Sequence, residues 1–386
     1  MDASAPASLT KAEPMSPPPP AAKYARDTDY YYHDGSCVFL VGGRLFKIHR
    51  SQLERHSNVF KTILATPAED MKPTSGLEGF SDEHPIVRED SVAEFRALCW
   101  VIYATPAEIV DQFTSTKADV PRMISLISVT HKYDMPGYRD WAFSAINKIA
   151  QAGQIQPSCK SWENLQQLLD LSHKSKQFEL ASRIQFSWIK SIEKSPKALR
   201  PFTSALRAAE NSKLRGFHAQ IYYTYLRANG ALSARALYDP ASSSIDKIVS
   251  HVTEHPSVDI GDTHRLRLYQ GFWSLTQLRH RLDTPPSLNG NAQCAVHATA
   301  CQPSWEAWWK DFLAEAQQGG KQRIGDPGEL LLKLQQIAMK KPIANITATS
   351  FGTLPPVPCQ AQIQTQVCAM KKTFDENLAE RFMIPV

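Results

Sequence analysis

The stretch from residue 34 to residue 104 constrains the fold more than any other part of the chain, because it contains four elements in a fixed order. Two apolar runs, CVFLV and RLFKI, are separated by Gly42 and Gly43. A Gly-Gly pair between such runs predicts a two-residue β-hairpin turn, since both positions need a positive φ. A capped helix, the short β-branched run HPIVRED and a second capped helix follow.

Capping boxes mark the predicted starts of the two helices. Ser51 and Glu54 have the spacing at which a hydroxyl and a carboxylate satisfy free backbone N–H groups reciprocally. Ser91 and Glu94 repeat that spacing. The first box predicts one continuous helix over SQLERHSNVFKTIL, and the second predicts a helix over SVAEFRALCWVIYA. This part of the chain is therefore predicted to form a small sheet with clustered helices.

The order of these elements and their residues resemble a BTB/POZ domain. The matching segments are VGGRLFKIHRSQLERHSNVFKTIL, FRALCWVIYATP and SLISVTHKYDMPGYRDWA. The segments SDEHPIV and FWSLTQLRHRL are similar to those of the large BTB family of mushroom-forming (basidiomycete) fungi. The resemblance implies a module that forms homodimers and often recruits a cullin-type ubiquitin ligase scaffold, while a second domain selects an unknown target protein.

The resemblance also implies which residues take part in interactions at the end of the hairpin. Many BTB domains carry an Asp at the start of the first hairpin strand, where this chain has Ser36. In the family that Asp lies with the Arg matching Arg50 in a charged pocket at the dimer interface. We expect a weaker dimer than usual, because a charged partner for Arg50 is missing. His49 is predicted to be a packed, hydrogen-bonded histidine of the fold.

The connector TPAEIV after the second capped helix is the predicted contact with the cullin scaffold. A contact of this kind needs an apolar anchor flanked by polar residues, and Ile109 beside Glu108 fits that description. The alternative is that Ile109 packs beneath the connector and contacts no partner.

Composition divides the chain into three predicted segments. Residues 1–29 are rich in Ala, Pro and Ser and are predicted to be a disordered leader. Residues 30–153 are predicted to form the BTB/POZ domain, and residues 154–386 to form a helical domain, since apolar residues repeat there at helical spacing. The predicted fold class is α+β, with an all-helical C-terminal domain.

Charge and cysteine content restrict the function classes. The 43 basic and 38 acidic residues show no basic cluster, so nucleic-acid binding is not expected. No apolar run approaches the about 20 residues that span a bilayer, and the N-terminus lacks the pattern of a signal peptide. The 7 cysteines, in a chain without a secretory signal, predict a cytoplasmic or nuclear location.

The segment NAQCAVHATAC predicts a metal site. Cys294, His297 and Cys301 are closely spaced thiol and imidazole ligands of the kind that structural zinc prefers. Cys368 or Cys359 is predicted to supply the fourth ligand. The alternative is that the two clustered cysteines are small buried residues and that His297 is a surface histidine.

Other features leave a non-catalytic interaction protein as the predicted function. Trp305, Trp308, Trp309 and Phe312 have the spacing of a buried helix face, in preference to a stacking platform for bases or sugars. The chain has no Gly-rich phosphate loop, GxSxG or HExxH, so no enzyme is predicted. The alternatives are a BTB-type transcriptional regulator, which needs a DNA-binding module, a scaffold without a ubiquitin-ligase role, and an enzyme with convergent polar residues.

Overall fold

The structure is a computed structural model of the chain. It describes residues 24–65, 79–114, 116–238, 244–253, 261–288, 290, 294–295, 297–318, 324–340 and 357–383. Residues 1–23 of the predicted leader lie outside this described part. Residues 25–29 of that leader instead belong to a β-strand, so the fold begins earlier than the composition predicted.

The chain divides into two compact units, Met1–Ala145 and Ile146–Val386. The division falls inside a helix, eight residues before the boundary that the composition predicted. Within the residues that the structure describes, no helix is both long enough and apolar enough to cross a lipid bilayer.

The first unit contains a four-stranded sheet with the spatial order β1-β3-β2-β4. Its strands are β1 (Ala25–Tyr31), β2 (Cys37–Val41), β3 (Arg44–Ile48) and β4 (Ile86–Arg88). β2 and β3 are antiparallel, and β2 pairs with β4 in parallel. Gly42 and Gly43 form the predicted turn with φ values of +53° and +77°, so the hairpin prediction is confirmed.

Among the described residues of this part of the chain there are six helices, the last of which continues into the second unit. They are α1 (Arg50–His56), α2 (Asn58–Ile63), α3 (Val92–Tyr103), α4 (Pro106–Asp111), α5 (Val120–Lys132) and α6 (Pro136–Gln151). The capping box of Ser91 and Glu94 is present at the start of α3. The predicted connector contains α4, which begins with a second capping box formed by Thr105 and Glu108.

The first predicted capping box is wrong, and so is the single helix that it was expected to start. Ser51 lies inside α1, whose N-cap is His49, and the carboxylate of Glu54 instead accepts a hydrogen bond from Arg50 Nε at 2.7 Å. Ser57 has an extended backbone and separates α1 from α2. Its hydroxyl accepts from the Phe60 N–H and donates to the Tyr133 carbonyl at 2.6 Å, which explains the break.

Aromatic rings fill the core between the sheet and the helices. Phe39, Phe46, Phe60 and Phe95 are fully buried. The ring centroid of Phe95 lies 5.3 Å from that of Phe39 and 4.9 Å from that of Phe46. Phe60 stacks on Tyr133, with ring centroids 4.2 Å apart. Aromatic pairs at such distances add stability beyond the area that they bury. The core therefore ties the hairpin to α2, α3 and the end of α5.

The described residues of the second unit form helices joined by loops and contain no β-strand, as predicted. Its helices are α7 (Ile155–Ser158), α8 (Trp162–Lys174), α9 (Phe178–Lys194), α10 (Leu199–Asn211), α11 (Arg215–Ala228), α12 (Ala234–Tyr238), α13 (Ser244–Thr253), α14 (Asp262–Arg281), α15 (Gln302–Gln318), α16 (Pro327–Lys340) and α17 (Val357–Glu376). A π-helical turn (His297–Cys301) precedes α15, and a 3₁₀ turn (Ala379–Phe382) follows α17.

The apolar stripes predicted for this unit are mostly buried, with exceptions at helix starts and on α14. Phe178 is exposed because it lies at the first turn of α9. Trp273 is also exposed, since the buried face of α14 is formed by Leu268, Phe272 and Leu275. Aromatic residues at helical spacing are therefore not enough to predict which face of a helix is buried.

Gly271, in the middle of α14, leaves a space that the ring of Phe382 fills. A Cβ atom at Gly271 would lie 1.9 Å from Phe382 Cε1, so no other residue fits there without displacing the ring. Phe382 also stacks on Tyr222 of α11, with ring centroids 5.4 Å apart. The 3₁₀ turn after α17 is thereby held against α11 and α14.

Candidate metal centre and interaction groove

Four potential metal ligands from two separate segments lie together in the second unit. They are Cys294, His297, Cys301 and Cys359, and their ligand atoms all lie within 4.8 Å of one another. Cys294 Sγ lies 3.6 Å from Cys301 Sγ, and Cys359 Sγ lies 3.5 Å from His297 Nδ1. None of these cysteines forms a disulfide bond. This group could hold a metal ion.

The π-helical turn and the start of α17 bring these side chains together. His297 and Cys301 are the first and last residues of the turn, and Cys294 lies just before it. Cys359 is the third residue of α17, and its side chain and that of Cys301 are fully buried. Cys301 and Cys359 are 58 residues apart in the sequence, so two distant segments of the chain meet at this point.

Close packing of the thiols makes a charged state costly while no cation is bound. Burial, together with the neighbouring Cys294 and Cys359, raises the pKa of the Cys301 thiol to about 12. A coordinating metal ion removes that cost, because it deprotonates a bound thiol outright.

Of the two residues predicted as the fourth ligand, Cys359 belongs to the group and Cys368 does not. Both lie on α17, nine residues apart. With about 3.6 residues per turn, a separation of nine residues corresponds to two and a half turns, so the two thiols lie on opposite sides of the helix. Cys368 is half-buried on the other side.

The helix that follows the π-helical turn packs through its aromatic face. Trp305 and Trp309 are fully buried, and Phe312 is nearly so. The indole N–H of Trp305 donates to the Pro286 carbonyl, and that of Trp309 donates to the Leu282 carbonyl at 3.1 Å. These residues form a core face, as predicted, and not a stacking platform.

The residues predicted at the end of the hairpin lie close together in the first unit. The Ser36 hydroxyl accepts a hydrogen bond from the Arg50 backbone N–H at 2.9 Å. His49 Nδ1 lies 2.9 Å from the Tyr103 hydroxyl, and His49 Nε2 lies 3.3 Å from a carboxylate oxygen of Asp34. His49 is thus packed and hydrogen-bonded, as predicted.

The expectation that Arg50 lacks a charged partner is wrong. Arg50 Nε donates to the Glu54 carboxylate at 2.7 Å, one helical turn away on α1. Sequence analysis missed this pair because it had assigned Glu54 to a capping box.

The predicted cullin-contact residues lie at the start of α4. The Glu108 carboxylate accepts hydrogen bonds from the Thr105 backbone N–H at 2.8 Å and from its hydroxyl at 2.7 Å, so it caps the helix. These hydrogen bonds lower the pKa of Glu108. Ile109 is half-buried and lines a groove, whereas Val110 beside it is 65% exposed.

The groove that contains Ile109 has a volume of about 590 Å³ and lies wholly within the first unit. Aromatic and apolar side chains form its walls, with two basic residues at α1. It is lined by Arg55, His56, Val101, Ile109, Met135, Pro136, Gly137, Tyr138 and Trp141. Tyr138 and Trp141 were not predicted as interaction residues, because nothing in the sequence around them shows that they face a groove.

A further cysteine, Cys99, is buried in the core of the first unit. Cys99 lies inside α3 and is fully buried, and burial raises the pKa of its thiol well above the ordinary value. A thiol in such surroundings behaves as a small apolar residue.

Compared with known proteins, the chain matches no protein-family model, no curated protein and no solved structure.

Proposed function

We propose that the chain is an interaction protein whose first unit is a BTB-like module that self-associates and binds a helix of a cullin-type scaffold. The observation that carries the proposal is the apolar groove beside α4. The order of elements in this unit also supports it, since a hairpin, a helical segment, a short strand and a capped helix follow one another in the order on which the sequence resemblance rests, although the helical segment is divided at Ser57.

The groove suits an apolar anchor presented by a helix. Tyr138 and Trp141 provide large, rigid surfaces, and Met135 can adapt to different shapes. Ile109 contributes a branched side chain at the edge of the groove, next to the exposed carboxylate of Glu108. An amphipathic helix laid into a groove of this kind is a common mode of peptide recognition.

Recovery of a basidiomycete cullin by the purified chain tests the proposal. Ile109→Ala should reduce recovery, because truncation removes an apolar contact from the groove. Val110→Ala is the matched control, since Val110 is the exposed neighbour on the same helix and is not part of the groove lining. Equal recovery with all three proteins removes Ile109 from the interface, and no recovery with the wild type removes the cullin proposal.

Self-association is supported by apolar side chains beside an edge strand. β4 is at one edge of the four-stranded sheet, and Val87 on β4 and Phe80 just before it are largely exposed. An exposed edge with apolar side chains is a surface that proteins usually cover. Light scattering of the full chain at a concentration of roughly tens of micromolar should give twice the mass of one chain. A monomeric mass there contradicts self-association.

We further propose that the Cys/His group holds one structural zinc ion. Tetrahedral zinc with Zn–S of about 2.3 Å and Zn–N of about 2.0–2.1 Å separates two sulfurs by about 3.8 Å and a sulfur from a nitrogen by about 3.6 Å. The corresponding separations here are 3.6 Å and 3.5 Å. Four protein ligands leave no position for water, so the ion would join α17 to the π-helical turn and take no part in catalysis.

Elemental analysis of protein purified without chelator tests this zinc site. One equivalent that is lost in Cys294→Ser supports it. Less than about a tenth of an equivalent would mean that the thiols are ordinary buried groups.

A further inference from the structure

Three side chains from three helices of the second unit form another group of potential ligands. Glu210 lies near the end of α10, His218 lies in the first half of α11, and His264 lies in the first turn of α14. One ligand atom from each lies within 4.8 Å of the other two. Sequence analysis missed them, because no short motif links residues on three helices. The group is independent of the proposed function.

We propose that Glu210, His218 and His264 bind a divalent transition-metal ion of the zinc type, with one coordination position left open. Two imidazoles and one carboxylate form a donor set that zinc and similar ions accept. Three protein ligands leave a fourth tetrahedral position for water or for a ligand from solution.

The separation of two ligand atoms fits coordination better than a direct hydrogen bond. His264 Nε2 lies 3.4 Å from Glu210 Oε1. A direct N–H···O bond is usually about 2.7–3.2 Å long. Two ligand atoms on a tetrahedral ion, each about 2.0–2.1 Å from it, lie about 3.3 Å apart.

His218 supplies an observation of its own. Its side chain is buried in α11, and Nε2 has no hydrogen-bond partner. A buried polar atom without a hydrogen-bond partner carries a desolvation cost. A metal ion accepts the lone pair of a neutral imidazole and removes that cost.

The surroundings of His264 resemble the support that metal-binding histidines receive. Its Nδ1 lies 2.5 Å from the Tyr222 hydroxyl, and Tyr222 is itself buried beneath Phe382. A metal-bound histidine usually uses its second ring nitrogen in such a hydrogen bond, which fixes the orientation of the ring. The carboxylate of Glu210 is about half exposed, so an ion has a path from solvent.

Arg267 opposes the proposed ion and gives the proposal a distinctive test. Its positive charge acts on both imidazoles and interacts with the Tyr222 hydroxyl. Removing this charge should tighten metal binding by the three side chains. If these side chains only pack against one another, the same change should produce no metal binding.

The experiment uses the full chain carrying Cys359→Ser, stripped with chelator and titrated with Co²⁺ alone. Cobalt bound by nitrogen and oxygen gives visible bands without the thiolate-to-cobalt absorption of a cysteine site, so the two candidate sites are read separately. We expect the protein to bind one equivalent of cobalt, with visible bands and no thiolate-to-cobalt absorption. Added Zn²⁺ should displace the bound cobalt and abolish these bands.

Three further variants decide the assignment, each checked for its helical content by circular dichroism. Glu210→Gln and His218→Gln should each weaken cobalt binding by at least about tenfold, since each removes a ligand. Arg267→Gln should tighten it. His280→Gln, which changes an exposed histidine at the other end of α14, should leave it unchanged.

Glu210→Gln keeps the test decisive even if His218→Gln unfolds, because Glu210 is exposed. Unchanged cobalt affinity in Glu210→Gln, or no visible bands in the parent protein, would overturn the proposal. Absence of thiolate absorption in the wild-type chain, with the visible bands retained, would overturn only the Cys/His zinc site.

Discussion

Replacing Cys359 by Ser should remove the stability that zinc gives to the second unit through the Cys/His group. Cys359 is fully buried and lies 3.5 Å from His297. Cys368→Ser is the matched control, because it makes the same chemical change on the same helix, on the side that faces away from the ligand group. The comparison therefore separates the loss of a ligand from the loss of a thiol.

The expected size follows from mass action. Free zinc at 100 times the dissociation constant stabilises the folded state by about 2.7 kcal/mol. In a domain of 150–250 residues, about 1 kcal/mol shifts the melting temperature by about 2–4 °C, so the zinc-dependent shift should be about 5–10 °C. Without metal, placing a hydroxyl where a buried thiol was costs on the order of 1 kcal/mol.

The assay is thermal unfolding by circular dichroism, with chelator and with free zinc. In a Glu210→Gln background, which removes a ligand of the second candidate site, the otherwise wild-type chain and Cys368→Ser should both gain the zinc-dependent shift, and Cys359→Ser should gain none. A shift retained in Cys359→Ser but lost in Cys368→Ser would show that the fourth ligand has been assigned to the wrong residue. The absence of a shift in the wild type would refute the zinc site itself.

Three further predictions concern the first unit. Arg96→Met should destabilise it by about 3 kcal/mol in urea unfolding, because the buried Asp27 carboxylate loses the guanidinium that donates to it at 2.8 Å; Arg96→Met with Asp27→Asn should recover part of that loss. Ser57→Ala should cost about 1–2 kcal/mol, since it removes a helix cap, whereas Ser51→Ala should stay within about 0.5 kcal/mol. Ser36→Asp should leave the dimer affinity measured by light scattering unchanged, because the guanidinium at the end of the hairpin already has a carboxylate partner; clear tightening would contradict that reasoning.

Local chemistry made part of the fold predictable. Gly42 and Gly43 determine the hairpin turn through backbone conformation alone, and the capping box of Ser91 with Glu94 involves residues three positions apart. The same rule failed at Ser51, because Arg50 offers Glu54 a charge-assisted hydrogen bond. Competition between two local partners cannot be decided from spacing.

Long-range packing explains what the sequence could not predict. Cys359 and Cys368 have equally suitable chemistry, and only the packing of α17 against the π-helical turn selects Cys359. The groove beside Ile109 likewise depends on how α4 meets α6. The group of Glu210, His218 and His264 depends on three helices at once, so no spacing in the sequence reveals it.

The fit of Phe382 against Gly271 makes the end of the described chain a reporter of events at α11. Phe382 stacks on Tyr222, whose hydroxyl contacts His264, so docking of the 3₁₀ turn and orientation of that imidazole share one side chain. If docking of the turn orients the imidazole and so tightens ion binding, then by linkage a bound ion must favour docking of the turn by the same factor. Protease cleavage near Arg381 should therefore slow when cobalt is added. Gly271→Ala, which displaces the ring of Phe382, should weaken cobalt binding although it changes none of the three ligands.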